Sequence, residues 1–445
     1  MQLPLGLSIM YRRRCCWIGS QGDCVRAYSG DDARMNLKER LALLRTAGRT
    51  AGVPDKADFS VSNVLPKPQR DTRASGAARV LRAGGWKETA PLVWRREIER
   101  PVPGLCRGAD LATESAELSG CVYFDLETTG LSGGSGTVPF LCTTGTVEGV
   151  VILLRQVYLE DFPGEPDFLD AVIGDLSSAE TIVSYNGACF DVPLLQTRCI
   201  MNRRILGAFR HHDVLRDCRR LWGRTLESCS LQYCESFLLD RTRENDVPGF
   251  MVPRIWLEAV KAERLTEAQE ALLERVWYHN AEDVVSLAGL HRMVIRAYRD
   301  PDWAIEELSA DPSAIFRILS KAGREEDARD VLVRVRDGQT GSWLDAETRS
   351  RALRHLAAWA WRKRDDKLLA ATVLAMDESP EGCIARAKLY EHRLRRADEA
   401  LYWARKARVL VEKEGQKKPP RDLEPARIDH RIARLERKAG RQGMS

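Results

Sequence analysis

Residues 122–130 read VYFDLETTG, and no other stretch narrows so sharply what this chain can become. Apolar residues surround two acids that stand two positions apart. In a β-strand successive side chains alternate faces, so Asp125 and Glu127 share a face. A strand so apolar at its other positions is expected to be buried, and acids are rarely left unpaired there. Two carboxylates held side by side away from water repel each other, and a cation between them resolves the conflict.

Two later segments supply more acids. SYNGACFDVPLL (184–195) places Asp191 just after a short apolar strand and at the start of a helix. Taken alone, Asp191 reads equally well as a helix N-cap. YHNAEDVVSL (278–287) places Asp283 inside a long helix predicted over about 266–299, where Leu272, Val276, Asp283, Leu287 and Leu290 recur at helical spacing. Alone, Asp283 reads as a solvated helix residue. Together, four carboxylates from three elements argue for a common site. His279 lies four residues before Asp283, one turn away on the same face. Tyr278 lies five before it, which turns its side chain about 140° away. His279 is therefore favoured as the group beside an attacking water, with Tyr278 as the alternative or as a core residue.

Strand periodicity begins near 120 and continues through 137–159, which read as two strands joined around Glu148 and Gly149. A helix over 165–178, a strand over 181–186, a helix from Asp191 towards Asn202, a short strand at 211–215 and helices at 216–222 and 230–239 follow. His212 and Asp213 read either as support for the site or as a strand end with a capping acid. Beyond DPDW (300–303) the strand signal disappears, and 303–440 reads as helical pairs rich in Ala, Leu and Arg. Residues 383–411 look like a tetratricopeptide-type hairpin. Trp303, Trp343, Trp359, Trp361 and Trp403 are expected to anchor helix packing. The expected division is a disordered extension over 1–34, which could reflect an upstream start codon; an N-terminal helix, a linker over 51–90 and one or two strands within 35–115; an α/β domain over 116–300; and an α-helical domain over 301–445.

Net charge is +5, but residues 351–445 carry 24 Lys and Arg against 14 Asp and Glu. Such a basic tail suits a polyanion, and it equally suits solvated helix faces. No apolar run approaches the 18 residues of a membrane span. The 12 cysteines are scattered without a CxxC pair, so reduced thiols in a cytoplasm are expected.

In this order the motifs resemble those of the DEDD superfamily of 3′–5′ exonucleases, and most closely the YprB-like ribonuclease H-fold proteins. FDLETTG is similar to the first exonuclease motif, NGACFD to the second and HNAED to the third. GLSGGSGT, HHDVLRDCRRLW, SLQYCE and DVPG also resemble that family. The resemblance covers about 116–300, and the helical tail is similar to that family's C-terminal region. One departure is clear: the superfamily places a tyrosine four residues, or a histidine five residues, before the last acid, and here those identities are exchanged.

The resemblance implies an α/β ribonuclease H-like exonuclease domain, a mixed sheet flanked by helices, followed by an all-α tetratricopeptide-like domain. It implies two divalent cations, Mg²⁺ or Mn²⁺, with Asp125 bridging both, Glu127 and Asp191 holding one each, and Asp283 completing the second site. Thr128 and Gly130 would approach the terminal nucleotide, and Asn186 would orient substrate or a bound water. Gly133–Gly136 has no phosphate-loop lysine after it and reads as a tight hairpin turn. The expected activity is metal-dependent 3′–5′ trimming of single-stranded DNA or RNA. The alternatives are a catalytically weak nucleic-acid-binding or scaffold protein whose tail recruits a protein partner, and a structure-specific endonuclease of the same fold.

Overall fold

The computed structural model describes residues 77–103, 117–130, 136–244, 246–414 and 420–442. The expected extension over 1–34, the helix over 35–50 and most of the hairpin turn at 133–136 lie outside the described residues. The chain divides into two compact units. One holds the described residues up to Asp217 together with Ser228–Val294; the other holds Cys218–Glu227 with those from Ile295 onward.

The first unit is built on a seven-stranded sheet of β1 (Lys87–Ala90), β2 (Val93–Pro101), β3 (Cys121–Thr128), β4 (Pro139–Glu148), β5 (Val151–Leu159), β6 (Thr181–Ser184) and β7 (Arg210–Asp213), ordered β1-β2-β5-β4-β3-β6-β7. β1 to β3 pair antiparallel through β2, β5 and β4, whereas β3, β6 and β7 run parallel. The sheet is mixed, as expected. Its parallel strands need crossovers, and these carry α2 (Glu165–Leu176) before β6 and α3 (Asp191–Met201) before β7.

The stretch read as a linker over 51–90 contains, in its described part, helix α1 (Ala78–Ala83) and strand β1. Trp86 fixes this segment, with its ring 5.1 Å from Trp277 and 5.8 Å from Tyr158. That aromatic contact spans nearly 200 positions, so local composition could not show it. β2 then pairs with β5 along its whole length, from Val93 opposite Leu159 to Pro101 opposite Val151.

The two faces of β3 follow its alternation. Val122, Phe124 and Leu126 share a core with Phe168, Leu169 and Val172 of α2 and with Trp256 of α6 (Val252–Lys261). Between α3 and α6 lie α4 (Val214–Trp222) and α5 (Leu231–Leu238). Helix α6 was not anticipated from the sequence; Phe140 stacks on its Trp256 at 4.8 Å. The opposite face of β3 carries Tyr123, Asp125 and Glu127 beneath α7 (Glu267–Arg299). There the Tyr123 hydroxyl meets His291 Nδ1 at 3.0 Å.

The second unit is helical beyond the end of α7: α8 (Pro301–Leu308), α9 (Pro312–Lys321), α10 (Glu325–Arg336), α11 (Ala346–Lys363), α12 (Asp366–Leu374), α13 (Pro380–Leu389), α14 (Ala397–Glu414) and α15 (Pro425–Gln442). The expected hairpin over 383–411 is α13 and α14, joined through a π-turn at Tyr390–Leu394. Trp403 packs into both small cores there, and Trp343 Nε1 donates to Ile305 O at 2.8 Å. Glu391, on the π-turn, is buried and receives Arg431 and Arg434 at 2.7 Å and Lys438 at 2.9 Å from α15. Burial alone would raise its carboxyl; Lys438 and Arg434 hold it down at about 2.

Gly145 on β4 leaves room for Val284 of α7 to pack against the sheet. A Cβ there would lie 2.7 Å from Ile152 Cδ1 and 3.0 Å from Val284 Cγ1. Gly145→Val is therefore expected to destabilise the protein by about 1–3 kcal/mol through overpacking, read as a lowered Tm in thermal denaturation.

Candidate metal centre

Each acid reaches the site for a local reason. Asp125 and Glu127 project from β3 towards α7 because the apolar residues between them face the other way. Asp191 is the first residue of α3, whose N-cap is Phe190, so its carboxylate does not serve as the cap. The turn before it is held by Asp213, which accepts the N–H of Asn186 at 2.8 Å and of Ala188 at 3.3 Å. Asn186 sits at φ +65°, a left-handed conformation that asparagine tolerates better than most residues. Gly187 has no room for a side chain: a Cβ would press on Ser184 and lie 3.0 Å from Asp191 Oδ2. Both readings of Asp213 fit: it ends β7 and accepts the N–H of Leu215 at 3.2 Å at the start of α4, and it also holds the turn that presents Asp191. His212 Nε2 instead lies 3.1 Å from Asp217 Oδ2.

Helix α7 is regular through its acidic segment and presents His279 and Asp283 together. His279 Nε2 lies 3.8 Å from Glu127 Oε1 and 3.6 Å from Asp283 Oδ2. Ligand atoms of Glu127, His279 and Asp283 all lie within 4.8 Å of one another. Tyr278 faces elsewhere and is 40% exposed. On β3, Thr128 Oγ1 donates to Gly130 O at 2.8 Å, which shapes the chain just after the Asp125/Glu127 pair.

Sequence reasoning missed several residues that complete this arrangement. Asp246 accepts from His279 Nδ1 at 2.8 Å, which turns Nε2 towards the acids. Arg243 Nη1 lies 2.6 Å from Asp283 Oδ1, while its Nε donates to Glu235 Oε2 at 2.8 Å. Asn280 Nδ2 donates to Asp125 Oδ2 at 2.7 Å, and Asn280 Oδ1 accepts from the Thr143 hydroxyl. Gln156 Nε2 donates to Thr143 Oγ1 at 2.7 Å. Asp125, Thr143 and Gln156 stand opposite one another on β3, β4 and β5. Thr143 and Gln156 were visible as polar residues inside apolar strands, which is the signal that could have found them.

The electrostatics follow from crowding. Burial first, then the charges of Asp283, Asp191 and Glu127, push the Asp125 carboxyl well above the usual range. Burial and the charges of Asp283, Asp191 and Asp246 do the same to Glu127. Asp191 is pushed up to about 7 by burial, with Asp213 and Asp283 adding to the effect. Burial would lower His279, but Asp246 and Asp283 outweigh it and raise the imidazole. A half-buried, oxygen-rich donor set whose carboxyls are pushed upward by one another fits a hard divalent cation.

A stability test follows. A carboxyl whose folded pKa is raised binds protons more readily in the native state, so it destabilises that state at neutral pH. The penalty fades as pH falls towards the unfolded carboxylate range near 4. Asp125→Asn should therefore raise the Tm of the metal-free protein at neutral pH by roughly 2–4 °C per kcal/mol relieved. The difference should shrink on acidification, and any Tm increase on adding Mg²⁺ or Mn²⁺ should be largely lost in the variant. Differential scanning calorimetry with and without chelator reads all three.

Comparison with known proteins places residues 122–295 under the family model RNase_H_2, described as RNase_H superfamily. YprB of Bacillus subtilis (strain 168) is 27% identical over 341 residues, covering 71% of this chain and 74% of its own length. The solved structure of the family B DNA polymerase from the hyperthermophilic archaeon Pyrobaculum calidifontis aligns at 13% identity and a TM-score of 0.33. That alignment covers 63% of this chain and 35% of the polymerase chain. Among the described residues no helix is long and apolar enough to cross a membrane.

Proposed function

We propose, from the premise that residues 122–295 form a domain of the RNase_H superfamily, that this chain is a metal-dependent nuclease. In this reading it acts as a 3′–5′ exonuclease on single-stranded nucleic acid. The observation that carries the reading is the meeting of Glu127, His279 and Asp283 at one half-buried place, with Asp125 and Asp191 electrostatically coupled to it. Asp125, Glu127, Asp191 and Asp283 would hold the ions. Divalent cations bound there would supply an activated water and offset the charge that develops on the entering and leaving oxygens.

The chain's own groups have distinct tasks. His279, oriented by Asp246 through Nδ1, presents Nε2 to accept the proton of the attacking water. Asn280 fixes the rotation of the Asp125 carboxylate, and Arg243 fixes that of Asp283. Thr128, Gly130 and Asn186 border the acids, where backbone can approach the terminal nucleotide. The order of the three motifs and the four-residue spacing of His279 and Asp283 favour exonuclease over endonuclease.

The helical unit adds charge but holds much of it in internal ion pairs. Lys388 pairs with Asp422, Arg405 with Glu436 and Arg408 with Asp429. These pairings favour the tail as a tetratricopeptide-like docking region for a protein partner over a phosphate track.

End-labelled and circular single strands, incubated with Mg²⁺ or Mn²⁺ and with chelator, test the proposal. Stepwise metal-dependent shortening of the linear strand, with the circle untouched, is expected; cutting of the circle would make the chain an endonuclease. Asp125→Asn should abolish cleavage, and full activity of that variant would end the two-metal reading. His279→Ala should lower the rate by about 10²–10⁴-fold. Tyr278→Phe, which keeps the ring, should change it little; a dead Tyr278→Phe beside an active His279→Ala would exchange their roles.

A further inference from the structure

On the same face of the sheet as Asp125 lies a cavity of about 180 Å³ that the reaction does not use. Its lining includes Gly84, Arg96 and Arg100 from the N-terminal segment and β2, and Trp277, Tyr278 and Ala281 from α7. Arg96 lies against a pair of touching rings, with its guanidinium carbon 4.5 Å from the centre of Trp86 and 5.6 Å from that of Trp277. Its Nε donates to Gln156 Oε1 at 2.7 Å, and its Nη1 to Gly84 O at 3.4 Å. Among the described residues no carboxylate forms an ion pair with it. Glu274 also lines the cavity and offsets part of the charge. Arg100 approaches Glu282 at 3.6 Å, but Arg241 already holds that carboxylate at 2.6 Å.

Two guanidinium groups crowded around one small hollow are the inverse of the carboxylate cluster, and an anion resolves their repulsion. Burial, and then the neighbouring Arg100 charge, already lower Arg96 to about 10. Guanidinium pairs match phosphate oxygens, and an exposed tyrosine ring beside them offers a face for a nucleobase. The size decides what enters. Pockets for whole small molecules run from about 300 Å³ upward, so this one suits a single group of a longer molecule.

We propose that this cavity is a subsite for a phosphate of a bound single strand, with Arg96 and Arg100 on the phosphate and Tyr278 stacked on the adjoining base. The proposal rests on the nucleic-acid reading of the neighbouring acids. It also has a physical tie to them. Arg96, Gln156, Thr143 and Asp125 stand opposite one another on β2, β5, β4 and β3. Three strand spacings, roughly 14 Å, separate the cavity from Asp125, which puts the subsite a few nucleotides from the bond that is cut. Hydrogen bonds run unbroken along the row: Arg96 to Gln156, Gln156 to Thr143, Thr143 to Asn280, and Asn280 to Asp125.

The test is fluorescence anisotropy of single strands of increasing length on the full chain, in chelating buffer where strands stay intact. Strands long enough to reach the cavity should bind Arg100→Ala about tenfold more weakly, and the slope of log K against log salt should flatten by about 0.7. Tyr278→Ala should weaken the same strands by about tenfold with the slope unchanged, because stacking displaces no counterion. Arg254→Ala, which removes an exposed charge on α6, should do neither. Equal affinity and slope for Arg100→Ala and Arg254→Ala, with Tyr278→Ala also at parent affinity, would overturn the subsite. A nucleoside monophosphate that binds as tightly as the strand, and loses affinity in Arg100→Ala, would make a free nucleotide the occupant and overturn the strand assignment. If the chain cuts strands without any Arg100 or Tyr278 effect, the subsite falls and the nuclease reading stands. If it binds through both residues without cutting, the nuclease reading falls and the subsite stands.

Discussion

Repulsion among Asp125, Glu127, Asp191 and Asp283 is the constraint on which the rest of the first unit depends. Carboxylates removed from water in one place oppose folding unless something offsets them. The protein offsets them piecemeal. Asn280 donates a hydrogen bond to Asp125, and Arg243 places a guanidinium on Asp283. His279, steadied by Asp246, stands between Glu127 and Asp283. What remains pushes the carboxyls of Asp125, Glu127 and Asp191 upward. Each device is also what a reactive centre needs, because it fixes a donor atom before any ion or substrate arrives. The stability sacrificed here and the chemistry proposed for the site come from one arrangement.

The acids themselves were legible in the sequence because each sits where a local pattern announces it. Asp125 and Glu127 break an apolar alternation, Asp191 opens a helix after a glycine turn, and Asp283 falls in register with His279. Strand and helix periods placed β3 to β7 and α7 for the same reason. Partners that come from far along the chain were not legible. Asp246 and Arg243 lie in a loop more than thirty positions before the residues they hold, and nothing in DVPG names its target. Thr143 and Gln156 required the register of three strands to be known. Trp86 turned an apparent linker into part of the sheet through rings that are neighbours only in space. Local chemistry can be read from spacing, whereas pairing across the fold is decided by packing.

The row from Arg96 to Asp125 shows how a sheet can join sites of opposite charge. Along it, Gln156, Thr143 and Asn280 each accept from one neighbour and donate to the next, so the bonds point the same way from guanidinium to carboxylate. Buried chains of this kind polarise one another and hold their members in single rotamers. An anion seated on Arg96 would act at one end of a rigid line whose other end is the Asp125 carboxylate, a proposed metal ligand. β1 and β2 therefore do more than lengthen the sheet: they bring the cationic end of the row into place.

One helix keeps both ends aligned. Asn280, Val284 and His291 fall at i, i+4 and i+11 along α7, which places them on one face. Asn280 meets Asp125, Val284 packs over Gly145, and His291 meets the hydroxyl of Tyr123. Tyr123 and Gly145 are themselves opposite neighbours on β3 and β4. The helix is thus fastened to the sheet at three successive points, and a slip of one residue would break them all. With that register set, Trp277 and Tyr278 can only turn towards the cavity, and His279 and Asp283 only towards the acids. The exchange of histidine and tyrosine relative to the superfamily pattern is consistent with this geometry. The position four residues before Asp283 faces the acids, and the position five before it faces the guanidinium groups, so each holds the side chain its surroundings can use.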